Sequence, residues 1–581
     1  MASILNSRLL TYYIFRPAEL IVAITSHYIT SDFKLREDLL EFLHIPERHT
    51  GRNLATHVHK VLHDYNIHTN LYCITTDNAS NNGKMIKELT KLFRRKDNII
   101  WNGPQHHIPC FAHVINLAVK AFLRNLKIAP VSDEHQWSSD IHDDFVADET
   151  PDDDVTHDDN DDDTDNNIES DDSNAENQRD WDDFGLDIPL DLSFASALQK
   201  VRVISKAANF PQTRILAFKR FCEVNDLKPL CPIRDHAIRW GATFKMAERA
   251  TYLKLAIDQW TRSKPEYAKF ILQEKEWEMI EFLVHFLHPF HMITMAVQAS
   301  TTCPSLHETW VRYEKMFDCL DETKESFQAM QSHPEWLVEV QHGVEKMWDK
   351  LREYYDESEK PVAIVDAILL HPKLKTGFMT KANYTSSNIS KYKTESERRF
   401  KTIYHSSNEL TTSILQSENR KRPHPFDSSS SESDAEEINE FTMWLSQKRD
   451  KTISNPLEYW GTAGKILFPR LQMMARDVFA VPATGAGVER EFSISGRVIT
   501  KHRNRLSPKT IRDLMQYKRW VARQADVLED GKCKEVPMAI DSGATEADKT
   551  DCTERERELA KWLKSWEAKE TLRSRIARLA E

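Results

Sequence analysis

Residues 487–508 of this chain read GVEREFSISGRVITKHRNRLSP. A carboxylate, Glu489, stands just ahead of an amphipathic run, and a dense group of cations follows it. These cations are Arg497, Lys501, His502, Arg503 and Arg505. A carboxylate beside many cations suits metal-assisted chemistry on a phosphate backbone. An ordinary solvated helix face has the same composition, so the stretch has to be interpreted together with the rest of the chain.

The composition indicates a large protein with two or three domains. The chain has 581 residues, of which 40% are hydrophobic, so it can bury sizeable cores. No segment contains 18 uncharged apolar residues, and we therefore expect no membrane association. The eight cysteines are widely spread without a C-x-x-C pair, which indicates reduced thiols in the nucleus or cytoplasm.

The net charge of −12 conceals a basic protein with an acidic insertion. Residues 133–187 contain 24 acidic side chains and a single basic one, Arg179. The remainder of the chain carries 77 basic and 66 acidic residues, a net charge of +11. A basic excess favours contact with nucleic acid. The insertion is too acidic and too poor in apolar residues to form a core, so we expect a disordered loop there.

The N-terminal part alternates between strand and helix patterns. The patterns predict strands at residues 20–29, 33–43 and 71–76 and a helix at residues 51–65. This order favours a mixed α/β sheet. The strand at 71–76 ends at Asp77, and a carboxylate at the carboxyl end of a strand is well placed for a functional site. Residues 190–415 have long periodic apolar patterns and predict helices.

The C-terminal stretch resembles the corresponding region of hAT-family DNA transposases. The matching motifs, in order, are Asn455-Pro-Leu-Glu-Tyr-Trp460, Phe468-Pro469, Ala475-Arg-Asp-Val478, Glu489-Arg-Glu-Phe-Ser493, Arg503-Asn-Arg-Leu-Ser-Pro508 and Trp520. Further motifs in family order are His49-Thr-Gly51, Thr76-Asp-Asn-Ala-Ser-Asn-Asn82, Cys110-Phe-Ala-His113, Asn116-Leu117, Ile238-Arg-Trp240 and Leu370-His-Pro372.

The resemblance implies an α/β fold in which an RNase H-like mixed sheet is interrupted by a large all-α insertion domain. The expected divisions are the first part of the core at 1–132, the acidic insertion at 133–187, the helical insertion domain at 188–416, a low-complexity linker at 417–438, a dimerisation region completing the core at 439–522, and a polar linker with a charged helix at 523–581.

Three carboxylates and Mg²⁺ carry out the reaction that the resemblance implies. Asp77 and Glu489 match the second and third carboxylates, as catalytic residues and as metal ligands. The first has no counterpart, because the first acids of the chain are Glu19 and Asp32. We therefore expect catalysis to be impaired.

Zinc is not expected from the sequence. The BED-type zinc finger that usually precedes the family's first strand has no Cys/His quartet here. Cys110 and His113 would supply two ligands, whereas a structural zinc site needs four.

The resemblance also implies residues for DNA binding and for self-association. The candidate DNA contacts are His113, Arg239, Trp240, Arg497, Lys501, Arg503 and Arg505. The candidate dimerisation residues are Tyr459, Trp460, Leu467, Leu471, Phe479 and Phe492. Structural roles stay open for two of them, since His113 could simply begin a helix and Trp240 could be a core side chain.

Three functional hypotheses follow. The first is a nuclear, DNA-binding and self-dimerising protein that derives from a hAT transposase and has impaired catalysis. The second is an active cut-and-paste transposase in which Glu19, Asp32 or a longer transcript supplies the missing acid, with Mg²⁺ as cofactor. The third is a protein-interaction module that retains the dimerisation surface alone. A homodimer or higher oligomer is expected under the first hypothesis.

Overall fold

A computed structural model describes residues 10–15, 21–45, 50–128, 192–235, 240–298, 303–329, 334–405, 439–498 and 506–530. Within these ranges the chain forms five strands and twenty α-helices. The expected acidic insertion, the linker at 417–438 and the charged C-terminal helix lie outside the described residues. The expected combination of a mixed sheet with a large helical part is confirmed.

The five strands form one mixed sheet. They are β1 Leu10–Phe15, β2 Ile21–Ile29, β3 Leu35–His44, β4 Ile74–Thr76 and β5 His107–Pro109. The order across the sheet is β3-β2-β1-β4-β5. Strands β1, β2 and β3 pair antiparallel, whereas β4 pairs parallel with both β1 and β5. The sequence patterns predicted β2, β3 and β4 but not β1 or β5.

Helices cover most of the remaining described chain. They are α1 Gly51–Asp64, α2 Ser80–Leu92, α3 Gly103–His106, α4 Phe111–Asn125, α5 Phe194–Ala207, α6 Gln212–Val224, α7 Trp240–Tyr252, α8 Lys254–Arg262, α9 Glu274–Gln298, α10 Glu308–Gln328, α11 Glu335–Glu357, α12 Val362–Leu370, α13 Lys375–Lys381, α14 Ser386–Phe400, α15 Glu440–Ser446, α16 Pro456–Gly461, α17 Ala463–Leu467, α18 Leu471–Phe479, α19 Ala486–Val498 and α20 Pro508–Asp530.

The sheet has helices on both faces. Strand β2 is rich in β-branched residues and is buried from Val22 to Ile29, as expected for a strand that is covered on both sides. Val22 and Ile24 belong to a core with the apolar faces of α1 and α2. Ala23, which points to the opposite face, belongs to a second core with Val488 and Met515 of α19 and α20. The C-terminal helices therefore complete the same core.

The start of α1 illustrates how local sequence sets this architecture. The Thr50 hydroxyl caps the helix by accepting a hydrogen bond from the backbone N–H of Asn53 at 3.3 Å. Leu54, Val58 and Leu62 then recur at helical spacing and are buried. The apolar stripe packs against α2 and fixes the position of α2 over the sheet.

The chain divides into two compact units. Unit 1 comprises Met1–Ala121, Pro289–Pro334 and Val344–Glu581 and contains the sheet. Unit 2 comprises Phe122–His288 and Glu335–Gly343, and its described residues contain helices but no strand. The core of unit 2 includes Trp260 stacked on Tyr267, with ring centroids 4.5 Å apart.

Helix α9 is the one described helix that is long and apolar enough to cross a membrane by length and composition. It has 25 residues and contains Pro289. Half of its most apolar 18-residue stretch is buried inside the protein. That burial favours the interpretation as a core helix.

Candidate functional site

Asp77 follows directly after the buried strand β4. Its Oδ1 accepts hydrogen bonds from the backbone N–H of Ala79, at 3.1 Å, and from the side-chain amide of Asn82. The same amide donates to the main-chain carbonyl of Asp77 at 3.2 Å. These contacts form an Asx-type turn that leads into α2. The turn fixes the carboxylate at the carboxyl end of the strand.

Glu489 lies in the first turn of α19 and is half-buried. Its backbone N–H donates to the carbonyl of Gly485 at 3.2 Å, which begins the helix. The amino-terminal end of a helix carries a partial positive charge that favours a carboxylate. Glu489 is therefore in an ordinary and favourable position for an acid.

Three hydrogen bonds join the ends of β4 and β5 to the segment that precedes α19. They run from the Thr75 hydroxyl to the Pro482 carbonyl at 2.9 Å, from the Phe111 N–H to the Ala483 carbonyl at 2.9 Å, and from the Gly485 N–H to the Cys110 sulfur at 3.3 Å. The first of these spans 407 positions of sequence. The carboxyl ends of the two strands are thus held against the start of α19.

The Cys110 thiol lies in the neighbourhood of both candidate carboxylates. Burial raises the pKa of Cys110 to about 12, and the negative charges of Glu489 and Asp77 act in the same direction. Its backbone N–H donates to the carbonyl of Thr76 at 2.7 Å, which ties it to the end of β4. Asp77 and Glu489 therefore lie in one region of unit 1, although 412 positions separate them in sequence.

Cys110 and His113 have structural roles at the start of α4. The sulfur accepts hydrogen bonds from the backbone N–H groups of Gly485 and His113. His113 is half-buried in the first turn of α4.

The position expected for the first carboxylate has no acid on the strand beside β4. β1 runs parallel to β4, with Thr11 opposite Thr75. Continuing that register brings the residues after Thr11 alongside Thr76 and Asp77. Strand β1 has the sequence LTYYIF and contains no acidic residue.

Asp32, one of the two substitutes considered from the sequence, lies elsewhere. It is in the turn after β2, and because β2 runs antiparallel to β1, this turn is at the opposite end of the sheet from Asp77. Its carboxylate accepts a hydrogen bond from the Thr30 hydroxyl and lies 3.4 Å from the Lys34 ammonium. The other substitute, Glu19, lies outside the described residues.

Two family models match the regions that form this site. The ZBED1 RNase-like domain matches residues 18–105, and the hAT family C-terminal dimerisation region matches residues 437–521. The chain is a hAT-family transposase-like protein.

Curated relatives of this hAT-family protein are named as regulators or transposases. A Talaromyces stipitatus protein with the provisional name transcriptional regulator tpeD is 24% identical over 85% of this chain and 51% of the relative. A Zea mays protein with the provisional name AC transposase is 21% identical over 86% of this chain and 55% of the relative. The Arabidopsis thaliana protein DAYSLEEPER, named as a zinc finger BED domain-containing protein, is 21% identical over 49% of this chain and 40% of the relative. The chain spans about half the length of the first two.

The structure corrects one of the predicted DNA contacts. Trp240 is buried in unit 2, with its ring centroid 6.2 Å from that of Phe244. No face of the indole is accessible to a base, because the side chain fills the helical core. Arg239, Lys501, Arg503 and Arg505 lie outside the described residues. Arg497 belongs to α19, but its side chain is outside the described part.

The predicted dimerisation residues divide into two groups. Trp460, Leu471 and Phe479 are buried in the core of unit 1, and the Trp460 indole N–H donates to the Leu370 carbonyl at 3.0 Å. These three stabilise the monomer and offer no surface to a second copy, which corrects that part of the prediction. Tyr459 and Phe492 are half-buried, whereas Leu467 is 56% exposed.

Sequence reasoning missed the ion pairs that hold the C-terminal helices on the sheet. Arg490 of α19 donates to Glu37 of β3 at 2.8 Å. Arg519 of α20 forms an ion pair with the fully buried Glu491, and Arg512 forms an ion pair with Glu41 of β3. The partners on β3 are more than 450 positions away from the arginines, so no local pattern could reveal them.

Proposed function

We propose that this hAT-family protein is a transposase-derived factor that binds DNA as a self-associated protein and does not cut it. The observation that carries the proposal is the lack of an acid on β1, the strand that runs beside Asp77. The order β3-β2-β1-β4-β5 supports an RNase H-like sheet, in which this strand would supply the first carboxylate. The match of residues 18–105 to the ZBED1 RNase-like domain supports an RNase-like fold for the part that contains β2, β3 and β4.

The described residues do not fit a site for two magnesium ions. Two-metal chemistry needs carboxylates that hold both ions against the attacking and leaving oxygens. Asp77 and Glu489 supply two carboxylates, and one oxygen of Asp77 already accepts two hydrogen bonds. Two acids of this kind can hold one hard cation at most weakly, because Mg²⁺ prefers a full set of oxygen ligands.

The charge distribution supports DNA binding in the nucleus. Outside the acidic insertion the chain has a net charge of +11, and Arg497, Lys501, Arg503 and Arg505 are concentrated directly after the Glu489 motif. Each cation that neutralises a phosphate releases a counterion, so binding depends on salt. The regulator-like and transposase-like names of the relatives agree with a nuclear protein.

Salt-dependent binding of a labelled duplex by the purified full chain tests this part. Replacing Arg497, Lys501, Arg503 and Arg505 by Ala should flatten the slope of log K against log salt by about 0.9 for each lost phosphate contact. A charge-matched control replaces four exposed cations near the end of α2 by Ala. These control positions are Lys87, Arg94, Arg95 and Lys96. A slope that changes in the control and not in the first variant would place the DNA surface elsewhere.

Exposed apolar side chains support self-association through the region matched at 437–521. Ile466 and Leu467 at the end of α17 are 80% and 56% exposed. Tyr517 and Trp520 of α20 are also exposed and stack on one another, with ring centroids 6.0 Å apart. Neighbouring exposed apolar side chains, as in each of these two pairs, are candidates for protein–protein contacts.

Sedimentation of the full chain tests the surface. The wild type should sediment as a dimer or larger species at micromolar concentration, and the double variant Ile466→Glu, Leu467→Glu should shift it toward the monomer. Ile100→Glu is the matched control, because Ile100 is 96% exposed but lies outside the matched region. A wild type that is monomeric, or a double variant with unchanged sedimentation, would contradict self-association through this surface.

A further inference from the structure

Two histidines and an aspartate meet at one edge of unit 1, on the segments that flank α2. His59 and His63 lie one helical turn apart on α1, and Asp97 lies on the π-helical turn Phe93–Asp97 that follows α2. The His59 Nε2 is 2.7 Å from Asp97 Oδ2, and the His63 Nε2 is 3.0 Å from Asp97 Oδ1. The three ligand atoms all lie within 4.8 Å of one another.

The scaffold around this cluster is well packed. The aromatic ring of Phe93 is buried, with its centroid 5.7 Å from that of His59. The backbone then turns through Asn98, which has a left-handed conformation with φ of 55°, and the N–H of Ile99 donates back to the Phe93 carbonyl at 3.1 Å. Asp97 is therefore held at a fixed point beside α1, with its side chain 9% exposed.

The donor set is one that zinc prefers. Zinc binds imidazole nitrogen and carboxylate oxygen, and two histidines at positions i and i+4 of a helix present their rings on one side. Ligand atoms about 2.0–2.1 Å from a tetrahedral zinc ion lie about 3.3 Å from one another. The nitrogen–oxygen distances here are 2.7 and 3.0 Å, so a small outward movement of the side chains would admit the ion.

A third histidine lies beside the cluster. The ring of His68 stacks on that of His63, with centroids 3.9 Å apart and an interplanar angle of 11°. Its Nδ1 is buried and has no hydrogen-bond partner within the described part of the chain. A buried nitrogen without a partner is unusual, but His68 does not belong to the group whose ligand atoms all lie within 4.8 Å of one another.

We propose that His59, His63 and Asp97 bind a zinc ion, with a water molecule in the fourth position. The ion would join α1 to the segment after α2 and so stiffen the helical layer that covers one face of the sheet. This site is separate from the BED-type finger and from the Cys110 and His113 pair, on which the expectation of no zinc was based, and it would correct that expectation. The proposal does not depend on whether the chain binds or cuts DNA.

Competition for zinc between the full chain and a chromogenic chelator tests the proposal. The protein is first stripped with EDTA, and Zn²⁺ is then added. One equivalent per chain should bind, and saturating Zn²⁺ should raise Tm. His63→Ala should weaken zinc binding by about 100-fold or more, since loss of outer-shell partners alone typically costs about 10–100-fold. His63 is 38% exposed, so its replacement should leave the fold intact.

A matched control separates a metal site from a hydrogen-bonded cluster. His57→Ala removes a histidine of the same helix that does not belong to the cluster, and it should retain the affinity and the rise in Tm. Co²⁺ provides a second readout, because its visible absorption reports a tetrahedral site with nitrogen ligands. Equal zinc affinity in the wild type and His63→Ala, or equal loss in His57→Ala, would overturn the proposal. His63→Gln serves as a second variant of this ligand if His63→Ala fails to fold.

Discussion

Replacing Arg519 by alanine should destabilise unit 1 in a manner that depends on pH. Arg519 forms an ion pair with Glu491, whose side chain is fully buried beneath α20. Removing one partner of a buried ion pair typically costs about 3–5 kcal/mol, because the other charge is left without compensation. The Arg519 side chain is 33% exposed, so we expect a loss at the low end, about 3 kcal/mol.

The pH dependence follows from the pKa of Glu491. Burial raises that pKa, and the charge of Arg519 works in the opposite direction. Without the arginine the pKa of the folded state rises further above the unfolded value. A carboxylate of this kind holds its proton more tightly in the folded state, so the stability falls as pH rises through the two pKa values. The loss should therefore be larger at pH 8 than at pH 5.

Thermal melting of the wild type and Arg519→Ala at pH 5 and pH 8 measures this difference. We expect Tm at pH 8 to fall on the order of 5 °C, with a smaller fall at pH 5. Lys518→Ala is the neighbouring control, because Lys518 has no ion pair in the described part of the chain. Adding Glu491→Met to Arg519→Ala should restore much of the loss. An equal loss at both pH values, or no recovery in the double variant, would refute the reasoning.

Two further predictions concern single positions. Cys110 should resist iodoacetamide in the native protein at pH 8, because burial raises its pKa to about 12. Mass spectrometry should show faster labelling of Cys231, which is partly exposed. Labelling of the two cysteines at equal rates would contradict the prediction. Gly51→Ala should destabilise by about 1–3 kcal/mol, because the new Cβ would lie 2.6 Å from the Cβ of Lys84. Gly83→Ala is its control in thermal melts, since a Cβ there meets nothing within 4 Å. A Gly51→Ala variant as stable as this control would contradict the prediction and show that α1 and α2 can move apart.

Periodicity predicted those elements whose sequence pattern is local. β2 is a run of β-branched residues, and α1 repeats Leu54, Val58 and Leu62 at helical spacing. β1 was missed because its six residues, LTYYIF, are too few to establish a period. Its place in the sheet depends on pairing with β2 and β4, which lie elsewhere in the sequence.

The resemblance predicted the region of the site, but it could not assign burial to individual side chains. Asp77 and Glu489 were identified by motif, and the structure brings both near Cys110. Trp460 and Leu467 lie seven positions apart in one motif-rich segment, yet the first is buried and the second is exposed. Core and interface use the same apolar residue types, so the sequence alone does not distinguish them.

Nicking of supercoiled plasmid DNA in Mg²⁺ or Mn²⁺ tests the central claim most directly. It compares the wild type with Asp77→Ala and Glu489→Ala at equal concentration, after each protein has been shown to bind DNA. The absence of an acid on β1 predicts that the wild type nicks no faster than either variant. Nicking by the wild type that is lost in both variants would contradict the account and would require another acid, such as Glu19, to complete the site.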